Sequence, residues 1–195
     1  MELYVVRHGQ SMANLEERHA GYLPVELSPL GRQQAEEAKK TLEDISFDRV
    51  YCSDLKRARQ TVKIALPACE PVFTPQLREI CVGKLEGMTY QACEERYGQD
   101  FFDAEARQDY SCMGGETGEE LRERIHGFLR ELEKRTDLKR VAVFGHEGTV
   151  RETLNFVLGT VIPLEHMVIR NAAVSVFSIG PEGRKLLGWN QTKLG

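Results

Sequence analysis

The chain carries few cysteines, a single tryptophan and no excess of positive charge. Its five cysteines, Cys52, Cys69, Cys81, Cys93 and Cys112, are odd in number and none stands in a C-x-x-C pair, a pattern that fits neither a disulfide framework nor a zinc site. A reducing, cytoplasmic setting is the expectation, with each thiol read as small and neutral. No apolar run is long enough to cross a bilayer. Residues 2–6 read as a strand rather than as the charged and then apolar leader of a secreted chain. Neither a membrane nor a signal peptide is expected. With 26 Lys and Arg against 30 Asp and Glu, the formal net charge is −4. That leaves no broad basic face to release counterions from nucleic acid. A basic pocket remains compatible with it.

What the chain does have is 195 residues, 41% hydrophobic and 29% charged, enough for one domain spanning 1–195 that covers a sheet on both faces. Apolar runs of strand length alternate with amphipathic stretches of helical length. This predicts an α/β fold, a single three-layer α/β/α domain with a mainly parallel central sheet and helices on both faces. Strands are expected at 2–6, 50–52, 71–74, 141–144, 173–178 and 185–189. Ser28-Pro29 supplies an N-cap and a first helical proline for a helix to about Leu42. Further helices are expected at about 54–66, 89–97, from Glu119 through Leu121, Ile125, Phe128, Leu129 and Leu132, and at about 149–158. Residues 76–117 read as an insertion over the sheet edge and the site.

Two histidines then stand where strands should end: His8, between Arg7 and Gly9, and His146, after Gly145. Open α/β sheets place their chemistry at carboxyl ends of strands. Arg7 offers an untitratable fork for phosphate oxygens, and its charge disfavours an imidazolium, leaving a ring nitrogen of His8 free to attack. Gly9 is read as allowing close approach to a ligand. Arg57 lies in the first turn of a helix, where free backbone N–H groups already favour anions, whereas Lys56 and Arg59 read as a solvated face. Glu79 and Glu86 share a segment with Gly83 and Gly87, and a glutamate beside a leaving group can protonate it. Val150 stands where H-E-x-x-H would need its second histidine, so that zinc motif is absent, and no metal or cofactor is expected.

These pieces resemble the histidine phosphatase superfamily, also called phosphoglycerate mutase-like. Its R-H-G-E/Q-S/T-x-x-N opening is Arg7-His8-Gly9-Gln10-Ser11-Met12-Ala13-Asn14, and its L-S/T-x-x-G-x-x-Q-A stretch is 27–35. The S-x-L-x-R-A-x-Q-T element stands at 53–61, the acidic L-x-E-x-x-x-G-x-x-E-G element at 77–87 and G-H-x-G-x-x-R at 145–151. The resemblance implies His8 as a nucleophile that becomes phosphohistidine and Glu79 as proton donor. Arg7, Asn14, Arg57 and His146, with Glu147 beside them, would form the phosphate-binding set. Two residues depart from the family pattern: Glu147, where a small or neutral residue is usual, and Pro24, where aspartate is common.

The implied reaction is hydrolysis of a small phosphomonoester with release of inorganic phosphate. A cofactor-dependent phosphoglycerate mutase and a non-catalytic phospho-ligand binding module are the alternatives. Asp100, Asp103, Glu105 and Asp109 in the insertion, against Arg107 alone before Tyr110, disfavour the highly anionic substrate of a mutase. Gln10, Ser11, Phe101, Phe102 and Tyr110 are the expected substrate pocket, the three aromatics either lining an apolar leaving-group site or anchoring the insertion. The sequence leaves a homodimer open.

Overall fold

The computed structural model describes residues 1–163 and 166–194. The strands are β1 (Glu2–Arg7), β2 (Arg49–Ser53), β3 (Val72–Thr74), β4 (Arg140–Gly145), β5 (Val174–Ser178) and β6 (Lys185–Gln191). The helices are α1 (Met12–Leu15), α2 (Pro29–Leu42), α3 (Lys56–Ala65), α4 (Tyr90–Tyr97), α5 (Gln99–Arg107), α6 (Gly118–Glu133) and α7 (Glu147–Leu158).

The strands form one sheet in the order β3-β2-β4-β1-β5-β6. The first four run parallel, while β5 and β6 are antiparallel additions at the far side. The central strands are apolar on both faces because both faces are covered. Leu3 and Val5 of β1, with Val141 and Val143 of β4, join one core with Leu121, Ile125 and Leu129 of α6 and Val150 and Leu154 of α7. The intervening Val6, Ala142 and Phe144 enter the opposite core with Ala38 and Leu42 of α2 and Ala58 and Val62 of α3. This is the period of two expected of strand side chains. Phe144 is fully buried, so Phe144→Ala would cost about 3–5 kcal/mol.

Local signals explain most boundaries. Ser28 caps α2 by accepting the Gly31 N–H, with Pro29 at its first position. Thr117 and Glu120 close a capping box on α6. The structure departs from the sequence reading in three places. The segment expected to hold one short helix holds two, α4 and α5, separated by Gly98 at φ 51, a backbone region that favours glycine. The four-residue α1 follows directly on the R-H-G segment. Helix α7 starts at Glu147 rather than near Thr149, because His146 itself is the N-cap residue.

Within 76–117, Val82, Leu85, Cys93, Phe101, Ala104, Tyr110 and Met113 pack into a small core of their own.

Candidate active site

Because β1, β2, β3 and β4 run parallel, the residues after their last positions gather at one edge of the sheet. Arg7 is opposite Gly145 in the β1–β4 register, so His8 and His146, each the next residue, become neighbours. Their rings lie 5.1 Å apart at 65°, and both are buried. The same edge receives Ser53 from β2, Arg57 from the first turn of α3, and Glu79 from the loop after β3.

The His8 backbone N–H extends the ladder to Gly145 O at 2.9 Å. Its Nδ1 lies 2.7 Å from the Gly9 carbonyl, which can only accept, so we assign the proton to Nδ1. Nε2 then carries the lone pair and accepts from Arg57 Nε at 3.2 Å. Burial first, then the Arg57 and Arg7 charges, hold the His8 pKa well below the usual imidazole range. The ring is therefore neutral at neutral pH.

Arg57 is 1% exposed. Its Nη2 donates to Gly21 O at 3.0 Å and its Nη1 to Leu23 O at 3.4 Å, so the 19–25 loop holds the guanidinium by its carbonyls. Burial lowers its pKa to about 10, which still leaves it cationic at neutral pH.

His146 is bonded at Nε2 to Ser53 Oγ at 2.8 Å. Ser53 Oγ also accepts the Leu55 N–H at 3.3 Å. We assign the hydroxyl proton to the histidine, which places the ring proton on Nδ1, a buried atom with no hydrogen-bond partner. Burial and the Arg57 charge again lower this imidazole's pKa strongly. The His146 ring is fully buried and packs edge-on against His8.

Glu79 accepts the Ile80 N–H at 3.0 Å and the Gly148 N–H at 3.3 Å on the same Oε1, with Oε2 3.4 Å from that amide. Gly148 sits in the first turn of α7, and a Cβ there would stand 2.5 Å from Glu79 Oε1. The glycine is what admits the carboxylate. A cavity of about 440 Å³ opens above these groups, with Arg7, His8, Asn14, Arg57, Glu79 and Glu147 on its wall. Asn14 Oδ1 accepts the Ser11 N–H and hydroxyl, which turns its amide NH2 away from the cap.

Several sequence expectations are corrected here. Glu147 faces inward, and its Oε2 is 2.8 Å from Arg7 Nη2. A carboxylate on that guanidinium competes with a phosphate rather than binding it. Ser11 is spent as the N-cap of α1, and Gln10 Oε1 accepts the Ser28 hydroxyl at 2.7 Å; neither lines the cavity. Phe101 is buried in the insertion core and Phe102 is 46% exposed, so the anchoring role holds for Phe101, and of the three aromatics only Tyr110 reaches the cavity. Gly9 is required by a close approach to α2: a Cβ would lie 2.3 Å from Gly31 O.

Sequence reasoning also passed over residues the structure brings in. Ser53 was visible only as the first letter of its motif. His19, Tyr90 and Glu105 join the cavity wall from segments with no strand-end signal, and Arg151, the last position of the 145–151 motif, joins it from α7. Among the described residues, no three His, Cys, Asp or Glu side chains group as a metal ion would require, and no helix is long and apolar enough to cross a membrane.

Comparison with known proteins bears on the family and the fold. Over 184 residues the chain is 30% identical to phosphoglycerate mutase-like protein 4 of Arabidopsis thaliana, covering 91% of this chain and 79% of that protein. It is 27% identical over 177 residues to the adenosylcobalamin/alpha-ribazole phosphatase of Escherichia coli, covering 86% and 83%. The crystal structure of the alpha-ribazole phosphatase from Shigella flexneri superposes with a TM-score of 0.91 over 100% of this chain and 98% of that one, at 24% identity, which speaks for the fold. The family model described as the histidine phosphatase superfamily (branch 1) matches residues 3–192, and the chain belongs to that superfamily.

Proposed function

We propose that the chain is a phosphomonoesterase that acts without a metal, through a phosphohistidine on His8, to release inorganic phosphate from a small phosphorylated metabolite. The observation that carries this reading is the neutral, buried His8 whose lone-pair nitrogen lies 3.2 Å from the Arg57 guanidinium. The nucleophile and a cation for the phosphoryl oxygens thus share one cavity with a carboxylate.

In this reading the Arg57 N–H turns from Nε2 to a phosphoryl oxygen as substrate enters. Nε2 attacks phosphorus in line, the ester P–O bond breaks, and the departing alkoxide takes the proton of Glu79. Arg7, Arg57, the Asn14 amide and the His146 Nδ1–H gather the charge that develops on the phosphoryl oxygens, the place a divalent cation takes in kinases. Water then attacks phosphorus and gives a proton to the Glu79 carboxylate, the P–N bond breaks, and phosphate leaves.

A mutase would need further cations for a second phosphate and a carboxylate. The two additional arginines on the cavity, Arg18 and Arg151, are engaged by Glu16 at 2.9 Å and Glu152 at 3.0 Å.

The test is turnover of a chromogenic aryl phosphate in the presence of a chelator, with His8→Ala as control. Acid-labile, base-stable phosphate should be trapped on the wild type only. Turnover surviving in His8→Ala, trapping on a cysteine, or loss of activity on chelation would each overturn the assignment. Efficient 2,3-bisphosphoglycerate-dependent isomerisation of 3-phosphoglycerate would make the chain a mutase.

A further inference from the structure

The insertion contributes a wall to the cavity that the phosphoryl chemistry does not use. Glu105, on α5, accepts the Tyr110 hydroxyl on Oε1 at 2.7 Å and the Tyr90 hydroxyl on Oε2 at 3.1 Å. Two tyrosines therefore hold the carboxylate in place, yet a carboxylate offers about four acceptor sites, so it retains capacity for another donor. Among the described residues no Lys, Arg or His forms an ion pair with Glu105, although Arg18 and Arg151 line the same cavity and are taken by other carboxylates.

His19 adds an independent observation. It is 9% exposed, lies against the Tyr90 ring with centroids 4.5 Å apart, and lines the cavity, and its Nε2 is buried without a hydrogen-bond partner. The wall is thus two aromatic rings and a buried imidazole nitrogen around an unneutralised carboxylate. That combination attracts a cation, through the charge of a carboxylate held in a partly desolvated aromatic wall. It repels a carboxylate, and an apolar group would leave Glu105 desolvated beside it.

We propose that Glu105, Tyr90, Tyr110 and His19 form the leaving-group subsite and that it selects phosphate esters of amino alcohols, the ammonium lying against the Glu105 carboxylate. The inference rests on the phosphatase reading and names its substrate class. It replaces the apolar leaving-group site expected from the aromatics of the insertion.

The test is a matched series on the wild-type protein: 2-aminoethyl phosphate, 2-hydroxyethyl phosphate, propyl phosphate and phosphoglycolate, beside a chromogenic aryl phosphate. The ammonium ester should have the highest kcat/KM, by about tenfold over the hydroxyl ester, and phosphoglycolate the lowest. In Glu105→Gln the ratio of ammonium to hydroxyl ester should fall to about one. Binding of 2-aminoethylphosphonate against propylphosphonate by calorimetry reads the same preference on the wild type without turnover or a variant, and the aminated phosphonate should bind more tightly. Aryl phosphate turnover with no preference for the ammonium in either assay would overturn this inference and leave the phosphatase reading standing. A preference that survives in Glu105→Gln would also overturn it. Hydrolysis of none of the esters would remove the phosphatase reading, and equal binding of the two phosphonates would then remove the subsite as well.

Discussion

Arg7 Nη2 and Glu147 Oε2 sit 2.8 Å apart, a carboxylate resting on the guanidinium that a phosphoryl oxygen would otherwise take. Arg7 is held in place from its other terminal nitrogen, Nη1, which donates to the Ile169 carbonyl. Under the proposed reading Glu147 therefore competes with the substrate for an arginine on the cavity wall.

Glu147→Gln should tighten competitive inhibition by inorganic phosphate about fivefold, the worth of a partly exposed ion pair. Burial raises the Glu147 pKa despite the opposing Arg7 charge. The carboxyl thus protonates at a higher pH than an ordinary glutamate, and the gap between wild type and variant should close as pH falls. Inhibition constants measured for both proteins across pH cancel the titration of phosphate itself. A gap that stays constant or widens toward acid would remove Glu147 from this role.

Ser53→Ala takes the hydroxyl from His146 Nε2 and leaves a buried ring nitrogen without a partner. We expect a loss of about 1–3 kcal/mol in stability and about a tenfold fall in kcat/KM, with Ser53→Thr restoring most of it. Urea unfolding with steady-state kinetics measures both. Loss of stability with kinetics untouched would make the serine purely structural.

Glu79→Gln should slow alkyl phosphates by about 10²–10⁴ and aryl phosphates much less, because a good leaving group needs little protonation. Gly148→Ala should act in the same direction, since the added methyl meets Glu79 Oε1 and lies 3.0 Å from Leu121 Cδ2. Plotting log kcat against leaving-group pKa for each protein gives the answer as a steeper slope. Parallel lines would exclude Glu79 as the acid.

The depressed pKa values of His8 and His146 make stability pH-dependent. Their contribution is complete above the unfolded imidazole value of about 6.5 and is lost as pH falls, because the unfolded chain takes up protons that the fold refuses. Each histidine should cost up to about 1.4 kcal/mol per pH unit in that range. Glu147, with its raised pKa, acts in the opposite sense, so the clean measurement compares wild type with His146→Gln in urea between pH 7.5 and 5. The variant should show the shallower dependence, and equal slopes would refute it.

How much of this was legible in the sequence follows from how local each cause is. The β1 and β4 runs, the Ser28-Pro29 start and the α6 stripe are short-range patterns, and they fall where expected. His8, Arg57 and His146 announce themselves by standing just past strands or in a first turn. Helix α5 did not, because Gly98 caps it without a side-chain bond and its polar residues mask the two that it buries, Phe101 and Ala104. Gln10 and Ser11 look like pocket residues by proximity to His8, yet both are consumed in holding α1 and α2. The direction of Glu147 and the tyrosine grip on Glu105 depend on tertiary approach, which no spacing encodes.

The β1–β4 pairing sets Glu2 opposite Arg140, so the two imidazoles meet only after nearly three quarters of the polypeptide has been laid between them. Such distant pairing forms slowly. A ribosome-bound or truncated product ending before α7 carries His8 and Arg57 but cannot complete the pocket. Hydrolytic competence is thus acquired late, in step with closure of the whole sheet, and its appearance in a refolding experiment should report the last long-range event rather than early collapse.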